Sequence, residues 1–251
     1  MTPPARSYVV TGGGRGIGRA IAARLVQDVA AVVVVDVAEP EPQERVSAVV
    51  GDAADEAVAL RAAELAELQA PLAGWVNNAA VFDDVDLAAD PGAVLRVVTA
   101  NLAPAVVGSA VALRHLTERG RPGAIVNVSS HQAQRAVRGA LAYATAKAAL
   151  EGLTRALAVD EGPRGIRVNA VALGSITTER YERHLDALEP AGRAEVEAEM
   201  ARLHPLGRVG RPEEVADVVA WLLGPGSGYV SGAVLPVDGG RAAQGRDPEE
   251  R

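Results

Sequence analysis

Tyr143 and Lys147 stand four residues apart, and Ser130 precedes the tyrosine by thirteen. On a helix, residues four apart share a face. An ordinary tyrosine, with a pKa near 10, is too weak an acid for proton transfer near neutrality, and a neighbouring ammonium favours its phenolate. Two unit charges about 4–5 Å apart at an effective dielectric of about 20 interact by roughly 3–4 kcal/mol. That corresponds to about two to three pKa units. The spacing therefore predicts a phenol tuned for acid–base work. The plainer alternative is a helix tyrosine and lysine paired for stability alone.

A second group of residues precedes these. Thr11-Gly12-Gly13-Gly14-Arg15-Gly16-Ile17-Gly18 follows a short apolar run and opens a helical pattern. In that context a glycine-rich segment reads as a phosphate cradle. Gly12 allows a tight turn, while Gly16 and Gly18 let the backbone approach a pyrophosphate and the helix pack on its strand. The helix N-terminus then faces the anion. Asp36 ends the next strand, eighteen residues after Gly18. A carboxylate there accepts bonds from adenosine ribose hydroxyls and repels a 2′-phosphate, which favours NAD over NADP. Arg15 pulls the other way, because a guanidinium beside the ribose can pair with a 2′-phosphate. A solvated strand-end Asp36 is the plainer reading of that residue.

Strands and helices must position these groups. Apolar runs at Ser7–Val10, Ala31–Asp36, Val46–Val50, Leu72–Val76, Ala124–Val128, Arg167–Val171 and Ala233–Val237 predict about seven strands. The continuous β-branched run Ala31–Asp36 is the pattern of a strand buried on both faces. Helices are expected from Gly16 to about Val29, Asp55 to Leu68, about Asp90 to Glu118, Leu141 to Asp160, Ile176 to about Leu203, and Glu213 to Leu223 behind Pro212. Strands alternating with helices imply right-handed βαβ units. The expected fold class is α/β, a single-domain doubly wound parallel sheet of Rossmann type with helices on both faces. No repeat or linker divides residues 1–251, and 241–251 reads as a loose tail.

Composition narrows the function. The chain has 251 residues, 49% of them hydrophobic, and a formal charge of −7. An acidic chain lacks the basic surface that nucleic acid requires. There is no cysteine, and the four histidines show no ligand spacing, so no metal site is expected. The N-terminal residues lack the regions of a signal peptide, and no stretch reaches eighteen uninterrupted apolar residues. A cytoplasmic protein without a membrane partner is the expectation.

Taken together, these motifs resemble the short-chain dehydrogenase/reductase family over about Ser7 to Gly240. The glycine segment resembles the family's TGxxxGxG. Asn77-Asn78-Ala79-Ala80 resembles its NNAG, with Ala80 in place of Gly. Ser130, Tyr143 and Lys147 match its Ser and YxxxK elements, and Asn101 matches the helix Asn of its tetrad. The resemblance implies hydride transfer between a nicotinamide cofactor and a secondary alcohol or ketone, with Tyr143 as general acid/base. Ser130 would hydrogen-bond the substrate oxygen, Lys147 would bind the nicotinamide ribose, and Asn101 would hold a water leading to solvent. Its serine lies thirteen residues before its tyrosine, which selects Ser130 over Ser129. It also implies cofactor contacts at Gly12, Arg15, Gly16, Ile17, Gly18, Asp36, Asp52, Asn78, Ala79, Tyr143, Lys147, Ile176 and Thr178. A 3-oxoacyl reductase is the main rival activity. A non-catalytic NAD-binding protein is disfavoured, since such a chain would be expected to lose Tyr143, Lys147 or Ser130.

Several features depart from that pattern or stand outside it. Only Val37 to Arg45 separate the second and third strands, with Pro40 and Pro42 among them, so the crossover helix is expected to shrink to a loop or single turn. Leu173 stands where the family has Pro, which is expected to leave the next loop freer. The segment His131, Gln132, Gln134, Arg135, Arg138 reads equally as a contact for a polar or anionic substrate or as a solvated basic loop. Thr177 to Pro205 is expected to form a lid. Phe82, the only phenylalanine, is expected in the core more readily than facing substrate. Alanines at 103, 105, 110, 112, 144, 146, 148, 149, 156 and 158 predict helix pairing between copies, in a tetramer ahead of a dimer.

Overall fold

The computed structural model describes residues 5–28 and 30–245. The predicted helix end at Val29 and residues 246–251 of the tail lie outside that description. Seven strands form one parallel sheet: β1 (Ser7–Thr11), β2 (Ala31–Asp36), β3 (Val46–Val50), β4 (Leu72–Asn77), β5 (Gly123–Ser130), β6 (Ile166–Leu173) and β7 (Val234–Val237). Their order is β3-β2-β1-β4-β5-β6-β7. The order reverses between β1 and β4, and in such sheets ligands bind outside the carboxyl ends of the strands at that point.

β2 shows why this sheet is parallel and covered. Its residues Ala31 to Val35 are all buried. Val32 and Val34 pack in a cluster with Ile21, Leu25 and Val219. Val33 and Val35 pack with Val58, Ala62 and Trp75 on the opposite face. Helices α1 (Gly16–Gln27) and α7 (Pro212–Leu223) cover the first face. α2 (Glu56–Gln69), α3 (Pro91–Glu118) and α4 (Leu141–Glu161) cover the second. Helix starts follow their caps: Asp55 accepts from the Ala57 N–H, and Asp90 accepts from the Ala93 N–H with Pro91 at N1. α3 is long and apolar enough to cross a membrane by length and composition. Here its Val111, Ala112 and Leu116 join the core beside the sheet.

The expected single helical stretch from Ile176 to Leu203 is two helices, α5 (Glu179–Asp186) and α6 (Pro190–Leu203). Pro190 disfavours helical backbone at the residue before it, which separates them. Residues 37–45 hold no helix. The chain closes instead through a Gln43–Val46 bridge and a left-handed Arg45 at φ 57°. Arg19 on α1 pairs with Glu41 at 2.6 Å and ties this short crossover down.

Candidate active site

The carboxyl ends of β1, β4 and β5 deliver the candidate residues to one edge of the sheet. A buried polar chain fixes α4 to that edge. The Asn77 amide donates to Asn127 Oδ1 at 2.8 Å and to Ser109 Oγ at 3.1 Å. The Asn127 amide donates to Thr154 Oγ1 at 2.9 Å on α4. All four side chains are buried, so breaking the chain would strand polar groups away from water, at about 1–3 kcal/mol each.

α4 carries Tyr143 and Lys147 on its buried face. Ser130, the last residue of β5, stands close enough to the Tyr143 phenol to pull its pKa down. Ser129 faces the other way, donating to Glu151 at 3.1 Å. Ser130 Oγ accepts from the Gln132 N–H at 3.2 Å, which holds the hydroxyl beside the phenol. Lys147 is 2% exposed, donates to the Val128 carbonyl at 2.7 Å, and holds its Nζ 5.4 Å from the Tyr143 ring centroid.

The expected lowering of the phenol pKa is not what this arrangement produces. Burial pushes Tyr143 up to about 12, against the opposing pulls of the Ser130 hydroxyl and the Arg180 charge. Burial alone draws Lys147 down to about 8. The reason is solvation: both charged forms lose water on entering the protein, and that loss exceeds what their neighbours return. At neutral pH the phenol is protonated and poised to donate.

The glycine segment forms a cradle at the start of α1. Gly12 has φ +63°, a conformation glycine adopts without strain. A Cβ at Gly18 would sit 2.1 Å from the Gly12 carbonyl oxygen, so only glycine lets the helix lie against the turn. Asn78 clamps this turn by donating to the Thr11 and Gly12 carbonyls at 3.1 and 2.9 Å. Its amide is thereby spent on the loop. Asp36, half-buried at the end of β2, accepts from the Gly14 N–H at 2.9 Å. Arg15 is exposed and N-caps α1 with its backbone alone. Ile17 occupies the first turn of α1 and packs against the core cluster beneath it. Asp52 is exposed beyond β3 and accepts from the Ala54 N–H at 2.9 Å, while Ala79 N–H donates to Thr11 Oγ1 at 3.2 Å.

Asn101 is buried in α3, and its side chain makes two hydrogen bonds. It accepts from the Val81 N–H at 3.0 Å and donates to the Val97 carbonyl at 2.9 Å. These bonds fix the segment after β4 and leave one amide N–H and one oxygen lone pair uncommitted. The loop after Leu173 is pinned where freedom was expected. Gly174 N–H donates to Val237 at 3.0 Å, Ser175 N–H to His204 Nε2 at 3.2 Å, and Thr177 N–H to Gly210 at 2.9 Å. Leu173 itself pairs in register with both Ser130 and Val237. Ile176 is buried in that pinned loop, and Thr178 N-caps α5, its hydroxyl accepting from the Tyr181 N–H at 3.4 Å.

The basic loop divides in two. His131 is buried and held neutral, its pKa drawn down to about 4 by burial and then by Arg241. Gln134 donates to Glu151, and Arg135 to the Ala242 carbonyl, so both brace the loop. Phe82 leaves the core altogether: it is half-exposed and stacks on Tyr143, with ring centroids 4.6 Å apart.

One group that sequence spacing did not reveal completes the site. Glu179, the first residue of α5, accepts from the Gly16 N–H at 3.3 Å. A carboxylate thus stands at the helix N-terminus where a diphosphate would bind. The cradle, that anion-accepting N–H, Asp36 and Lys147 together fit a nicotinamide dinucleotide. Among the described residues no group of three or more His, Cys, Asp or Glu could hold a metal ion.

Comparison with known proteins follows the same lines. The family model described as Enoyl-(Acyl carrier protein) reductase matches residues 12–242. Levodione reductase of Leifsonia aquatica is 34% identical, covering 95% of this chain and 94% of its own. Cis-4-hydroxycyclohexanecarboxylate dehydrogenase of Sinomonas cyclohexanicum is 37% identical over 95% of this chain and 97% of its own. The ligand-free aldohexose dehydrogenase of Thermoplasma acidophilum superposes with a TM-score of 0.89 at 29% identity, covering 99% of this chain and 97% of that one.

Proposed function

The chain belongs to the short-chain dehydrogenase/reductase family, an oxidoreductase acting on CH–OH and C=O groups, and we propose that it is an NAD-dependent dehydrogenase of small secondary alcohols with Tyr143 as its acid/base. The carrying observation is the meeting of Tyr143 and Ser130 at the carboxyl edge of β5, with the buried Lys147 Nζ 5.4 Å from the phenol ring centroid.

When bound, the nicotinamide supplies the hydride acceptor or donor. The protein's own groups handle the proton. In the reductive direction the neutral Tyr143 phenol gives its proton to the substrate oxygen as the carbonyl becomes a carbinol. In the oxidative direction the phenolate takes that proton back. Ser130 Oγ donates to the same oxygen and steadies the charge that develops there. Lys147 supplies a buried positive charge that favours the phenolate half of the cycle. NAD is preferred over NADP on this reading because the Asp36 carboxylate points into the glycine turn beside the adenosine side. A homotetramer built on the outer faces of α3 and α4 is part of the same proposal. The family model's description favours one second reading, reduction of a carrier-bound acyl chain.

Tyr143→Phe tests the central role. The ring stays and only the transferable proton goes. Turnover of secondary alcohols, followed by absorbance of the reduced coenzyme with NAD and with NADP, should fall by more than about a thousandfold. Coenzyme binding should stay within about threefold of wild type. Residual turnover within about tenfold of wild type would remove Tyr143 from the chemistry.

A further inference from the structure

The first turn of α5 places a guanidinium above the reaction centre. Arg180 Cζ lies 4.0 Å from the Phe82 ring centroid, and the Phe82 ring stacks on Tyr143 at 4.6 Å with the planes 29° apart. Phenol, phenyl and guanidinium form one layered stack, with the cation within two ring spacings of the acid/base. Its charge reaches the phenol and pulls it toward the ionised form.

Arg180 joins two features: it stands in the stack over the phenol, and it has no carboxylate partner among the described residues. Arg193 pairs with Glu182, Asp186 and Glu197, and Arg208 with Glu214, while Arg183 of the same helix bonds only to the Glu179 carbonyl. Among the described residues no Asp or Glu lies within 4.0 Å of Arg180, in a chain with 32 acidic and 25 basic residues. The aromatic contact does not use its donors. A guanidinium over a ring interacts through its π face, and its N–H groups lie in the plane of the fork. That fork matches a carboxylate in bidentate fashion.

We propose that Arg180 determines substrate specificity by pairing with a carboxylate on the molecule whose carbinol or carbonyl faces Tyr143. The stack sets the scale: acid and reacting carbon are separated by a small ring or a short chain. This assignment rests on the secondary-alcohol chemistry proposed above and adds the charge of the substrate to it.

Two measurements keep the assignment and that chemistry apart. The first is binding. Protein saturated with NADH is titrated calorimetrically with cyclohexanecarboxylate and with cyclohexanecarboxamide, a pair of similar shape and different charge. Wild type should bind the carboxylate at least about tenfold more tightly than the amide. Arg180→Gln should reduce that preference below about twofold, and Arg180→Lys, which keeps the charge and loses the fork, should fall between. Arg183→Gln, an exposed arginine of the same helix, is the control for helix charge and should keep the preference. Equal binding of the pair by wild type, or an undiminished preference in Arg180→Gln, overturns the assignment. The second measurement is turnover of 4-hydroxycyclohexanecarboxylate and its methyl ester. Oxidation of both without preference for the acid leaves the alcohol chemistry standing and removes Arg180 from its role. Oxidation of neither, with the carboxylate preference in binding intact, removes the alcohol chemistry and leaves Arg180 as an anion site.

Discussion

Burial sets the charge state of the two side chains that meet at the reaction centre. Lys147 has its pKa drawn from 10.5 to about 8, so its ammonium is disfavoured in the folded chain. Between those two pH values the unfolded chain holds a proton that the folded chain has lost. Stability contributed by this group therefore rises with pH across that window and is flat below it. Tyr143 acts in the opposite sense above pH 10, where its folded pKa of about 12 keeps a proton that the unfolded chain releases. Lys147→Met removes the first effect and leaves the second. From about pH 7.5 to about pH 9.5 the wild-type urea midpoint should climb relative to that of Lys147→Met. A difference that stays constant over the interval would mean that burial places no penalty on the ammonium. Residue spacing could place Tyr143 and Lys147 on one helical face. It could not show the sign of the phenol shift, because that depends on how much water the fold removes, and the water is removed by residues distant in sequence.

Elements were legible wherever a local rule sufficed. β2 is a run of β-branched residues, α2 and α3 begin at Asp caps, and the crossover between β2 and β3 is too short and too proline-rich for a helix. The loop after β6 was not legible. Leu173 in place of Pro suggested freedom, yet His204 and Gly210 supply the bonds that pin that loop, each more than thirty positions from Leu173. The segment from Thr177 to Pro205 was only partly legible, because amphipathic pattern could not show what the first turn of α5 touches. Glu179 touches the Gly16 N–H, and a Cβ on Gly16 would lie 3.3 Å from its carboxylate. A coenzyme diphosphate at this helix N-terminus would compete with the Glu179 carboxylate for that donor. Removing the competing charge should then tighten coenzyme binding. The contact is exposed, so the gain is modest, about two- to fivefold in the dissociation constant of NADH for Glu179→Gln. Nicotinamide fluorescence titration reads this without turnover. Weaker binding in that variant would show that Glu179 supports the cradle rather than occupying it.

At the scale of the whole molecule, both apolar layers of the sheet are closed, but one outer surface is left with little polarity. On α4, Ala148, Ala149 and Ala156 are exposed, and a Cβ at Gly152 would meet nothing within 4 Å. These positions repeat at helical spacing and leave a shallow, small-residue face. Val106 on α3 is 45% exposed and Val159 on α4 is 75% exposed, so the apolar character continues across both helices. Alanine was visible in the sequence, but its abundance everywhere left open which residues point outward. The fold answers that: Ala105, Ala112, Ala144 and Ala146 serve the interior, while Ala148, Ala149 and Ala156 do not. A face this flat lets a second copy of α4 approach closely, and a two-fold axis across it brings each residue near its own counterpart. The expected assembly is a tetramer, with a solution mass by light scattering about four times that of the 25.8 kDa chain. Ala149→Glu would set like charges opposite each other across the axis, at a position with no role in the fold's interior. That variant should drop to smaller species while keeping its helical circular dichroism. A wild-type mass near 25.8 kDa at micromolar concentration would end the proposal, and an undisturbed assembly in Ala149→Glu would move the interface off this face.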